Sequence, residues 1–342
     1  MTVEIGAVGD GSAGHRPPAG HRPPAGGSAH GADSASDLGT DYDTSGAGEH
    51  AEQTPVPGTG LQRLIHLLDL EKIEENIFRG RSPQIATQRI FGGQVAGQAL
   101  VAAGRTVDPE RRVHSLHSYF IHPGDPDVPI VYTVDRVRDG RSFTTRRVVA
   151  VQHGQPIFTL SASFQLAQGG LDHQPEMPDV PSPESLPSIE VWNEEFPGLE
   201  AAMRHLTIPI DIRYVDDPPW VQRARGPRAS APHRVWMRAN GRLGADPLLH
   251  VCALTFASDI TLLDSVLVHH GLSWGLDPIQ GASLDHAMWF HRPFRADDWF
   301  LYVSESPSAA GGRGLAQGQM FAQDGRHLAS VVQEGVIRVP SA

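Results

Sequence analysis

One cysteine, Cys252, is all the chain has, so an internal disulfide is excluded. It lies in LLHVCALTF, an apolar setting that favours an inert core thiol over a nucleophile. No apolar run approaches the ~18 residues that a membrane span requires. Basic residues are also short: 28 Lys and Arg stand against 39 Asp and Glu, a net charge of −11. No basic face is implied, and nucleic acid is not an expected partner. The N-terminus, MTVEIGAVGDGSAG, has no basic start and no apolar stretch, so it does not read as a secretory signal. The C-terminus, VIRVPSA, is not a peroxisomal address. A cytoplasmic, reducing setting is expected. Metal and phosphate motifs are missing too: there is no H-E-x-x-H, no paired C-x-x-C and no phosphate-binding glycine loop.

Residues 1–58 are Gly, Ala, Ser, Pro and acid, with a tandem copy GHRPPAGHRPPAG at 14–26. Eight acidic and two basic side chains fall there, so the remainder carries only −5 of the net charge. Such a segment cannot bury enough apolar surface to offset its ordering entropy, and it is expected to be disordered. Order begins near Leu61, where LQRLIHLLDL suits a short helix. RIFGGQVAGQALVAAG then reads as a buried helix, small and apolar on nearly every side. Four strand-like runs follow: HSLHSYFIHP, PIVYTVDRVRD, SFTTRRVVAVQ and PIFTLSASFQL, each bounded by turn residues. Long antiparallel strands with one helix predict a curved sheet wrapped on that helix. Residues 167–206, rich in Pro and Gly at first, read as a linker. FASDITLLDSVLVHHG, 256–271, reads as a second buried helix, with Ser258 as its cap and Asp259 in its first turn. Four further strand-like runs close the chain.

The second series repeats the first. ALVAAG, 99–104, aligns with VLVHHG, 266–271, at an offset of 167. SLHSYFIHP aligns with SLDHAMWFHRP at 168, growing to 170 at the proline, and the turns His153-Gly154 and Asp324-Gly325 align at 171. So slow a drift points to an internal duplication. The copies differ at polar positions. Asp259 falls on Gly92, Ser283 on Ser115 and Gln333 on Ala162. A site shared by the halves is therefore asymmetric.

Taken singly, each candidate has an ordinary alternative. Asp259 is a good helix starter. Asp264 lies ~140° around the same helix and reads as a solvated or interface charge, not a partner. Ser283 is either a strand-capping hydroxyl or a site residue; GASLD lacks the closing glycine of a nucleophile elbow. Gln333 shares the Val331 face of its strand, and an inward glutamine needs a partner. His114, His117 and His122 alternate faces at odd spacing and cannot converge on a metal, and His286 and His291 do the same. The arginines of RVRDGRSFTTRR, 136–147, are a solvated strand face or a polyphosphate contact, with Arg146 and Arg147 the candidates for the second role.

LEKIEENIFRG, RIFGGQVAGQAL, HSLHSYFIHPGD, FASDITLL, ASLDHAMWFHRPFRADDWFLY and ASVVQEGVIR together resemble the type II, TesB-like acyl-CoA thioesterases of bacteria and peroxisomes. The resemblance runs from about residue 61 to 338. It implies an α+β double hot-dog: two tandem helix-plus-antiparallel-sheet repeats, at 59–166 and 207–342, forming one continuous sheet. It also implies hydrolysis of acyl-CoA to free acid and CoA, with no metal or other cofactor, and a homo-oligomer. In that family an Asp, a Thr or Ser and a Gln hold the attacking water; position by position these fall on Asp259, Ser283 and Gln333. Many bacterial members have Thr where Ser283 stands. Backbone amides near Gly92 and Gly93 are the expected oxyanion donors. Two rivals share the architecture or pocket. A hot-dog enoyl-CoA hydratase would place a His five residues after the Asp, where this chain has Asp264. An acyl-CoA-binding sensor would lack the water-holding set.

Overall fold

Every strand among the described residues joins one sheet. The computed structural model describes residues 60–82, 89–195, 209–225 and 232–339. The expected disordered tail, 1–58, lies outside them, as does 196–206 of the expected linker. The first half supplies β1 (Glu71–Glu74), β2 (Ile77–Gly80), β3 (Arg111–Phe120), β4 (Ile130–Asp139), β5 (Phe143–Gln152) and β6 (Gln155–Leu166). The second supplies β7 (Ile210–Tyr214), β8 (His233–Ala239), β9 (Gln280–Ser283), β10 (Asp285–Phe290), β11 (Phe300–Ala310), β12 (Arg313–Ala322) and β13 (His327–Arg338). Their spatial order is β1-β2-β4-β5-β6-β3-β10-β13-β12-β11-β8-β7, with β9 paired to β13. The order reads the same from both edges, so the halves meet as mirror sequences of one topology at the β3–β10 seam. Ser118 and His286, counterparts at offset 168, are paired across that seam. A pseudo-twofold axis therefore passes through this pair.

The repeat extends to buried detail. Tyr132 on β4 and Tyr302 on β11, 170 residues apart, are both fully buried. Each sends its hydroxyl to a helix, Tyr132 to Gln98 Oε1 (2.7 Å) and Tyr302 to the Ser258 carbonyl (3.0 Å). This is the double hot-dog expected from the sequence.

The helices are α1 (Gly60–Leu68), α2 (Gly92–Gly104), α3 (Ile189–Glu195), α4 (Pro219–Arg225), α5 (Pro247–Ser258) and α6 (Asp264–His269). α2 and α5 lie against each other at the centre. Gly93 and Gly97 make that approach possible. A Cβ at Gly93 would come within 2.5 Å of the Phe256 carbonyl, and one at Gly97 within 3.2 Å of the Cys252 carbonyl. Cys252 is fully buried there, and burial pushes its thiol pKa up, as an inert core residue requires.

The single helix expected over 256–271 is a correction. α5 starts earlier, at Pro247, capped by Asp246, whose side chain accepts from the Leu248 N–H. It ends at Ser258, and Asp259 is its C-cap. The Tyr302 hydroxyl occupies the Ser258 carbonyl, and i→i+3 bonds from Ile260, Asp264 and Ser265 turn the chain before α6 begins. Ser258 is no N-cap: its hydroxyl lies 2.8 Å from the Thr255 carbonyl.

The described part of the connecting segment is strapped to the second half. Met177, Val180 and Leu186 cover Trp236, Trp299, Leu301 and Phe321. Trp236 Nε1 donates to the Pro181 carbonyl at 3.0 Å, and Gln174 bonds both Gly325 and His327. Among the described residues no helix is long and apolar enough to cross a membrane.

Candidate active site

The break after α5 presents Asp259 at a junction of both halves. Its Oδ2 accepts the Gly93 N–H at 2.7 Å, in the first turn of α2. The carboxylate thus caps the first half's helix while ending its own. Negative charge is favoured at the α2 N-terminus and disfavoured at the α5 C-terminus. A side chain at Gly92 would collide with it, since a Cβ there would lie 2.7 Å from Oδ2.

Ser283 and Gln333 arrive from the sheet. β13 pairs with β9 through Gly335–Ser283 and with β10 through Val332–Ala287. The chain steps at Leu284, between those strands. Ser283 therefore ends β9, whereas a strand start was expected. Gln333 points inward, as strand alternation implied, and is fully buried. Its Nε2 donates to Asp259 Oδ1 at 2.8 Å and to Ser283 Oγ at 2.6 Å. Ser283 Oγ also lies 3.5 Å from Asp259 Oδ1. Residues 74 positions apart in the chain thus meet within hydrogen-bond reach.

Electrostatics suit a base. Burial raises the Asp259 pKa above its ordinary value; the facing His286, Gln333, Gly93 and Ser283 act in the opposite direction. Asp264, expected to be a solvated or interface charge, is buried at 7 % exposure. Its apolar surroundings raise its pKa to about 7, while a hydrogen bond with Trp274 opposes the rise. The turn at 259–263 is the reason: it swings α6 so that Asp264 faces inward.

The structure brings together Asp259, Ser283, Gln333, Gly92 and Gly93, and leaves two predicted residues elsewhere. Arg146 is buried, and its guanidinium is engaged by Thr106, Asp139 and the Arg138 and Thr145 carbonyls. That places it beyond the C-terminal end of α2, about 20 Å of helix from Gly92. Arg147 is exposed and paired with Asp135 at 2.8 Å. The Gly93 amide is likewise taken by Asp259, so of the two expected oxyanion donors only the Gly92 N–H carries no bond among the described residues.

Sequence reasoning missed His286. It is buried, with Nδ1 3.0 Å from Gln333 Oε1 and Nε2 2.8 Å from Ser258 Oγ. The signal was the inward parity of β10, which the search for metal clusters passed over. A bulge between Val113 and Ser115 upsets the alternation expected of His114, His117 and His122. The three end on separate partners: Ser163, Trp289 and the Pro156 carbonyl. Among the described residues no group of three His, Cys, Asp or Glu side chains could hold a metal ion.

Family models match both halves: "Acyl-CoA thioesterase N-terminal domain" at 79–165 and "Acyl-CoA thioesterase" at 204–336. The chain is 44 % identical to acyl-coenzyme A thioesterase 8 of Homo sapiens over 285 residues, which is 80 % of this chain and 88 % of the human protein. A solved structure of acyl-CoA thioesterase II TesB2 from Mycobacterium marinum is 46 % identical, covers 82 % of this chain and 98 % of its own, and superposes with a TM-score of 0.67. A protein of unknown function with hot-dog fold from Alicyclobacillus acidocaldarius shares the fold at 21 % identity, covering 82 % of this chain and 99 % of its own, with a TM-score of 0.66.

Proposed function

The chain belongs to the acyl-CoA thioesterase family, and from that premise we propose that Asp259, Ser283 and Gln333 carry out its thioester hydrolysis. The observation that supports this most directly is the Gln333 amide, which bonds Asp259 and Ser283 at once. A water seated among the three would lie against a carboxylate whose affinity for protons burial has raised. Asp259 takes one proton from that water as its oxygen bonds to the thioester carbon. The carbonyl oxygen becomes an oxyanion, for which the Gly92 N–H at the start of α2 is the available donor. Collapse breaks the C–S bond, and the CoA sulfur leaves with the proton held by Asp259. Free acid and CoA result, and the carboxylate is restored. No covalent intermediate is required, in keeping with the inert Cys252.

The family resemblance also implies a homo-oligomer, and Tyr119 on β3, 63 % exposed, offers aromatic surface to one. Neither rival has support in the site. The hydratase pair would need His at 264, and that position is a buried Asp near Trp274. A sensor would have no use for a base held by three donors.

Thiol release from acyl-CoA tests the reading. Asp259→Asn is expected to lower kcat about 10²–10⁴-fold with little change in KM. Unchanged turnover by that variant would overturn it.

A further inference from the structure

Gln333 serves Asp259 in only one of its two amide orientations. As placed, Nε2 donates to the carboxylate and to Ser283 Oγ, and Oε1 faces His286 Nδ1 at 3.0 Å. Turned by 180°, the amide oxygen would face the carboxylate, and both donations would be lost. The side chain is fully buried, so water does not decide between the two. The group that does is the imidazole on the other side.

A neutral imidazole carries one N–H. With that proton on Nε2, Nδ1 offers a lone pair to Gln333, and the amide turns to present its NH₂ to the ring. With the proton on Nδ1, the ring donates to Oε1 and the NH₂ is left for Asp259. Nε2 must then accept, and the Ser258 hydroxyl stands 2.8 Å from it. Ser258 has one proton and two competing acceptors, the Thr255 carbonyl, also at 2.8 Å, and the Met288 sulfur at 3.4 Å. The imidazole nitrogen has no other donor in reach among the described residues.

We propose that His286 is a positioning residue for the hydrolysis: held as its Nδ1–H tautomer by Ser258, it locks the Gln333 amide so that the NH₂ faces Asp259 and Ser283. The donors then run one way, from Ser258 to His286 to Gln333 to Asp259. Burial, which lowers the His286 pKa, keeps the ring neutral against the pull of Asp259 and Asp285. The repeat agrees. At offsets of 167, 168 and 171 the first half has Phe91, Ser118, Ala162 and Gly92 in place of Ser258, His286, Gln333 and Asp259. The whole relay is present in one copy and absent from the other.

The inference rests on the site proposed above, and its test separates the two. An Asn at 286 places its amide nitrogen near Nδ1, whereas a Gln places it near Nε2. His286→Asn is expected to stay within about 5-fold of wild-type kcat, and His286→Gln to lose about 10²-fold at nearly constant KM. In a Gln333→Leu background His286→Gln should cause no further loss. Nitrogen NMR of the full-length protein with ¹⁵N-histidine reads the tautomer directly. The chain has 18 histidines, so the His286 signals are assigned by their absence from the His286→Gln spectrum. Protonated Nδ1 supports the proposal, and protonated Nε2 overturns it; the spectrum of His286→Asn gives the same assignment independently. Equal kcat for the Asn and Gln variants also overturns it. Full turnover by Asp259→Asn would instead remove the site while leaving the tautomer result standing.

Discussion

Asp259 ends one helix and caps another, and each end acts on its charge. Its pKa is raised chiefly by burial. A general base works only when deprotonated, so kcat/KM should fall as pH drops through a value raised above that of an ordinary aspartate. A pH–rate profile with a substrate that does not ionise in that window checks this. Asp264 poses a different question of sign. Unfolded, it ionises near 3.8; folded, at about 7. Between those values the unfolded chain has released the proton and the folded one has not, so stability declines as pH rises through the window. Asp264→Asn should therefore raise stability at pH 8, on the order of 2 kcal/mol, and change it little at pH 4. Urea melts at both values decide the matter. Asp259 and Gln333 could be found on the page because the repeat replaces them with Gly92 and Ala162. Asp264 could not, because its direction depends on the turn after Ser258, whose carbonyl is held by the hydroxyl of Tyr302, 44 residues away.

Helix α2 is the element on which the site depends most. It offers an N–H to Asp259 from one half and receives the close approach of α5 from the other. Gly92→Ala would put a methyl 2.7 Å from Asp259 Oδ2 and 2.9 Å from the Phe120 ring. It should lower kcat about 10²-fold by displacing the carboxylate, with a stability cost of about 1–3 kcal/mol. Thiol-release kinetics beside a thermal melt separate the two effects. The α2 sequence shows why it was legible: eleven consecutive buried residues, mostly small, admit no other reading than a central helix. α5 was missed because LLHVCALTF is equally apolar all round and carries no helical stripe. Its start signal, Asp246-Pro247, lies ahead of the stretch that drew attention. The strands were legible from β-branched runs and turns. The step at Leu284, which splits one expected strand into β9 and β10, has no such mark.

At the scale of the molecule, the seam between β3 and β10 lets both halves contribute to the proposed site. The second half holds Asp259, Ser283, Gln333 and His286, and the first contributes the Gly93 N–H and the β3 edge. Residues 59–166 and 207–342 expressed separately are each expected to show no turnover, and co-expression to restore it. Activity from the second fragment alone would show that α2 is dispensable.

Gly92 sits where its own counterpart, Asp259, comes to rest. A dimer built from two identical single repeats would have to write the same residue in both places. Aspartate twice would force one carboxylate onto another; glycine twice would leave no base. Fusing the repeats into one gene removes that constraint, because the two positions can mutate apart. The proposed site is thus a product of broken sequence symmetry within a preserved backbone symmetry, and a side chain as small as a hydrogen atom is what makes room for it.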